Sequence, residues 1–200
     1  MEDRIMMTAE DMKQLKIPVH EPFAHFLKAD PEEHAFPISL LDVVRFAGHA
    51  CPSMVGAFVI SQRAVRELFP ETGVLVRGQV SVELGSSVDR GATGPISNVF
   101  SMIFGAWEKS GFGGIQGNFV RRGLLSYQVP DPSPGTYRFT HLGTGKKVEI
   151  FYDSSTVDLK GDLSDLSFQE IWRMKIRRIV LEADKVLSVR IIHPGVGFQK

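Results

Sequence analysis

The chain has 200 residues, 43% of them apolar, with 23 basic and 23 acidic side chains. That is enough apolar material for one well-filled domain, or one domain with an appendage. It excludes an electrostatic nucleic-acid binder, for want of a basic excess to neutralise phosphates, and a membrane span, for want of a long unbroken apolar run.

Residues 1–38 read as an irregular lead-in. Pro18, Pro22, Pro31 and Pro37 interrupt any long helix. A short helix from Pro22 to Ala29 fits, with proline at its first position. His20, His25 and His34 all lie in this segment. Ser39 then suits an N-cap for a helix over Leu40–Ala47, with Asp42 at the third position. Leu40, Val43, Val44 and Ala47 give its apolar stripe, and Gly48 should stop it.

A second helix is predicted from Pro52 to about Phe69, ended by Pro70 and Gly73. Gly56 and Ala57 within it would permit close approach of a neighbouring backbone. Gly78–Leu84 alternates and reads as a half-buried strand. Ile96, Val99, Phe100, Ile103 and Phe104 have helical spacing up to Gly105. A glycine-rich stretch over 111–117 follows, and Phe119–Tyr127 reads as a strand.

Pro130-Asp131-Pro132-Ser133-Pro134-Gly135 is the strongest break in the chain. Thr136–Leu142 and Lys147–Tyr152 then read as a hairpin across Gly143-Thr144-Gly145. A last helix is predicted over Ser167–Ala183 and a last strand over Val186–Ile192. The expected class is α+β, with a mixed or antiparallel sheet packed with helices. The expected organisation is a lead-in over 1–38, a core over 39–130 and a C-terminal extension over 131–200 packed on that core.

The start, Met1-Glu2-Asp3-Arg4, is acidic and lacks an apolar signal core, and a single cysteine argues against a disulfide-stapled secreted protein. The expected compartment is the cytoplasm. Near-zero net charge with 14 phenylalanines predicts apolar surface buried between protomers, a homodimer being the default.

Gly48-His49-Ala50-Cys51-Pro52 holds that one cysteine, two positions from a histidine. Thiolate and imidazole are both good ligands for a zinc-class ion. Glycine before and proline after shape a tight loop. Cys51 also stands just before a helix, whose first N–H groups favour negative charge. The competing reading is a buried, inert cysteine. Two ligands do not close a tetrahedral site, so others must come from elsewhere in the chain or from a second protomer. His20, His25 and Asp89 are the candidates, with His34 behind them. The glycine-rich stretch lacks the lysine and hydroxyl of a P-loop and the ordered unit of a dinucleotide fold.

The Gly48–Pro52 motif, followed by Gly56 and Arg63, resembles the GHxCP signature of the FmdE family of formylmethanofuran dehydrogenase components. The similarity runs over about residues 40–128. It implies an FmdE-like α+β metal-binding domain, usually dimeric, with zinc held partly by the positions that match here, His49 and Cys51. The family often carries a second cysteine in a Cys-x-Val-Asp pattern. Here Ser86-Ser87-Val88-Asp89 stands in its place, keeping the aspartate alone. A shifted register puts Gly94 there and keeps neither. The zinc-ribbon cysteines of longer relatives are missing.

The leading expectation is therefore a zinc-binding protein with an open metal position for a small molecule. The alternatives are a hydrolase- or deaminase-type enzyme using zinc-bound water, with Asp89 or Glu83 as base, a metal-free thiol protein, and a structural or interaction protein with an inert cysteine.

Overall fold

The computed structural model describes residues 6–28, 35–130, 132–159 and 163–192. Its helices are α1 (Ala9–Gln14), α2 (Pro22–Leu27), α3 (Leu40–Ala47), α4 (Pro52–Leu68), α5 (Thr93–Phe104), α6 (Phe168–Leu181) and α7 (Ala183–Val186). Its strands are β1 (Lys16–His20), β2 (Ala35–Ser39), β3 (Leu75–Val76), β4 (Val80–Leu84), β5 (Leu125–Ser126), β6 (Thr136–His141), β7 (Lys147–Tyr152) and β8 (Leu187–Ile192). Thr8, Ser39 and Ser167 cap α1, α3 and α6 reciprocally. Each hydroxyl accepts from the third residue's N–H, and that residue's carboxylate accepts from the cap's N–H.

Two sheets result. The smaller has the order β2-β1-β3, and the larger β5-β4-β6-β7-β8. In the larger sheet β4, β6, β7 and β8 run antiparallel in succession, while β5 lies parallel to β4. The architecture is α+β with mixed sheets.

The lead-in is not irregular. It supplies α1, β1 and α2, and β2 follows at 35–39. Its prolines are compatible with a strand pair because Pro18 stands opposite Pro37 in the β1–β2 register. At a non-hydrogen-bonded position of an antiparallel pair, neither residue needs an N–H. The second departure lies at 119–127, where only Leu125–Ser126 is a strand. Phe119 has φ +61 and Gly123 φ +74, so the chain turns instead of extending. Trp107 takes up this loop, with its N–H on Arg121 O at 2.9 Å and its carbonyl receiving Leu124 N–H at 3.0 Å.

Helix α4 sits at the centre. Every residue from Met54 to Ser61 is buried, as expected of a helix enclosed by other elements, and Ala64, Val65 and Leu68 continue one buried face beyond them. It packs against α3, α5, α6, β6 and β7. Phe100 of α5 meets Tyr137 and Phe139 of β6 edge-on, each at 5.2 Å between ring centres. No described helix is long and apolar enough to cross a membrane.

Two charged arrangements tie these layers together. Across the larger sheet, Glu83, Arg138, Glu149 and Arg190 stand opposite one another on four neighbouring strands. Arg138 donates to Glu149 through Nε at 2.8 Å and Nη2 at 2.6 Å, and Arg190 Nε reaches the other carboxylate oxygen at 2.7 Å. At the smaller sheet, Glu21 accepts from Arg77 at 3.0 Å and from Arg121. Arg77 also donates to Met102 O at 3.0 Å. Burial lowers the Arg77 pKa, against the raising effect of Glu21. Gly78, at φ +79, admits the Arg121 guanidinium, since a Cβ there would fall 1.4 Å from Nη1.

Glu21 is thus a carboxylate bonded to two largely buried guanidiniums. Glu21→Gln is expected to lower stability by about 3 kcal/mol in urea unfolding, because it leaves that charge uncompensated. A loss under about 0.5 kcal/mol would show that solvent, not Glu21, balances the arginines.

Candidate functional site

The loop between α3 and α4 is built by its flanks. Gly48 closes α3 in the left-handed region at φ +78, a conformation that favours glycine. Pro52 opens α4 at its first position. Cys51 is the N-cap residue, extended at φ −142 and ψ 167, and its side chain makes no capping hydrogen bond. Its sulfur is half-buried and free of any disulfide. His49 is exposed, with Nδ1 at 3.1 Å from Ala47 O. A proton on Nδ1 donates to that carbonyl and leaves the Nε2 lone pair outward.

Two side chains from the far end of the chain hold this loop. The Trp172 indole N–H donates to Ala50 O at 3.0 Å. The Tyr152 hydroxyl donates to Pro52 O at 2.6 Å. These carbonyls flank Cys51 on either side. Phe168 packs on Trp172 at 5.3 Å between ring centres. The Tyr152 ring lies over Gly56, where a Cβ would sit 2.4 Å from Cζ. The close neighbour of Gly56 is therefore an aromatic ring, not a backbone.

Tyr152 and Trp172 were not legible as partners of the loop. Trp172 lies in the apolar stripe of α6, and Tyr152 ends a hairpin strand. The glycine within α4 was the one signal, and it does not say what approaches it. Burial pushes the Tyr152 hydroxyl far above the ordinary phenol value, only partly opposed by a hydrogen bond with Ser154. The hydroxyl therefore stays a donor through the neutral range. Burial likewise pushes Tyr137 up to about 12.

The other sequence candidates lie elsewhere. His20 ends β1, and its carbonyl receives Arg77 N–H at 3.0 Å. His25 is on α2, with its ring centre 6.1 Å from that of His20. Asp89 is exposed on the turn after β4, where hydrogen bonding to Ser87 lowers its pKa. Glu83 lies 3.6 Å from Arg138 in the cross-strand row. His34 lies outside the described residues. Among the described residues, no three of His, Cys, Asp and Glu converge as a metal cluster. His20 and His25 are neighbours, and His49 and Cys51 share the α3–α4 loop.

No family model matches the sequence, and no curated protein is detectably similar to it. Among solved structures, the chain is similar to a tungsten formylmethanofuran dehydrogenase FmdE-like protein from Syntrophus aciditrophicus. The identity is 16%, the match covers 82% of this chain and 77% of that one, and the TM-score is 0.38. At that level the likeness is of fold alone.

The buried phenols set a pH dependence. Their folded pKa values lie above the ordinary 10.0. The folded state therefore holds these protons more tightly than the unfolded state. That contribution is complete below about pH 10 and is lost as pH rises towards the folded values. Tyr152→Phe is expected to cost about 1 kcal/mol at pH 7 by urea unfolding, and to flatten part of the decline that begins at about pH 10. An alkaline decline as steep as the parent's would place the effect elsewhere.

Proposed function

We propose that this chain binds a zinc-class metal ion, with His49 and Cys51 as its first two ligands. What supports this reading is the pinned imidazole beside an uncommitted sulfur. A metal-bound histidine commonly holds its second ring nitrogen on a carbonyl, as His49 does on Ala47. Cys51, two residues on, has no capping bond to surrender. The bound ion would supply a Lewis-acidic centre, and Tyr152 and Trp172 would fix the backbone that carries its ligands.

Two residues fill half of a tetrahedral shell. The remaining positions come from outside the loop. The His20–His25 pair of a second copy has suitable chemistry, which makes a homodimer part of the proposal. Solvent or a small-molecule ligand is the other source. A metal-free thiol protein is the second reading. It draws on the same Cys51, and on the lack of a third converging ligand among the described residues.

Protein purified without chelators is expected to carry about one zinc-class ion per chain by elemental analysis. Cys51→Ser and His49→Ala should each remove most of it. The cobalt-substituted parent should show a sulfur-to-metal absorption band that Cys51→Ser lacks. His20→Ala and His25→Ala should lower zinc affinity if the pair completes the shell, and leave it unchanged if solvent does. Native protein without metal, whose Cys51 oxidises readily, would favour the thiol reading instead.

A further inference from the structure

A cavity of about 400 Å³ lies between the turn after α4 and the β6–β7 hairpin. It is remote in sequence from the Gly48–Pro52 loop and shares no residue with it. Leu68 and Phe69 supply apolar surface and are themselves 4% and 8% exposed. The His141 ring packs against Phe69 at 4.9 Å between centres. A volume of this size suits a small ligand with an apolar body.

His141, Thr72, Thr144 and Lys146 of the lining are left as donors by the backbone around them. His141 Nδ1 accepts from Gly143 N–H at 3.0 Å and Thr144 N–H at 3.3 Å. Its ring proton therefore sits on Nε2. Thr72 Oγ1 accepts from Val74 N–H at 3.2 Å, and Thr144 Oγ1 accepts from Lys146 N–H at 3.3 Å. Both hydroxyls keep their O–H to donate. Lys146 donates one ammonium proton to Glu67 O and keeps two. That bond also offsets the negative end of α4, which would otherwise repel an anion. Glu71, exposed on the turn, is the one carboxylate of the lining.

We propose that this cleft binds a small organic oxyanion, a carboxylate or a phosphate carried on an apolar body. The donors are His141 Nε2–H, the two threonine hydroxyls and the Lys146 ammonium. Leu68 and Phe69 take the apolar part. Charge-assisted hydrogen bonds to an oxyanion are the strongest that such a donor set makes.

The test is titration of the 15N-labelled full chain, followed by NMR, with benzoate, phenyl phosphate and benzylammonium. The two anions should shift the backbone amides of 68–73 and 141–146 saturably, and the tighter one identifies the oxyanion. Benzylammonium should leave those amides unmoved. Lys146→Met should weaken the tighter anion about tenfold. Thr72→Val, an exposed substitution, should weaken it about threefold if Lys146→Met fails to fold. Cys51→Ser should bind the probes as the parent does, so failure of the metal proposal leaves this one standing. Equal response to benzylammonium overturns the proposal. So does the absence of saturable shifts with either anion up to about 20 mM, the weak end for ligands of this size. Parent-like affinity in both Lys146→Met and Thr72→Val overturns it as well.

Discussion

The backbone that follows the cysteine is held by a ring lying over a glycine. Tyr152 covers Gly56 at a distance that no β-carbon would allow. From there its hydroxyl reaches the Pro52 carbonyl. One contact thus joins the sheet to the central helix and orders the first turn of that helix. Trp172 completes the arrangement from α6. The C-terminal third is a working part of the loop's environment, because it supplies both side chains that hold the backbone around Cys51.

The smaller sheet adds an ion-pair fastening to its buried Ile17, Val19, Ile38 and Leu75. Glu21, Arg77 and Arg121 come from three separate stretches of chain and meet where little water reaches. Glu21 also receives Phe23 N–H at the start of α2. A single carboxylate therefore links the end of β1, the start of α2, Arg77 and the 107–124 loop. Charge works here beside apolar packing, since Phe23 also packs on Phe112 and Phe119 of that loop, and the fit is directional: glycine at 78 is needed for the guanidinium to pass.

Local chemistry was the legible part of the sequence. Ser39, Asp42 and Gly48 mark α3 without reference to anything distant, and all three act as their types predict. The hairpin across Gly143–Gly145 and the capped start of α6 follow from equally short-range signals. Two regions were illegible for opposite reasons. Proline hid the strands of the lead-in, because only pairing shows that Pro18 and Pro37 face each other. A strand was expected at 119–127, because composition does not report that Phe119 adopts a left-handed backbone. At the site, the sequence identified the motif and its caps. It did not identify Tyr152 or Trp172, whose bonds span 100 and 122 positions. Long-range contacts of that kind leave no periodic trace.

The row of alternating charge across the larger sheet has a consequence at the sheet's margin. It ends on β8 with Arg190, whose side chain is 66% exposed yet engaged with the nearly buried Glu149. Among the described residues, no strand pairs with the outer side of β8. Such a margin invites a foreign strand. An incoming strand here would have to cover a guanidinium already committed to a carboxylate inside the sheet. Charge placed on an outer strand in this way works against its pairing with another chain.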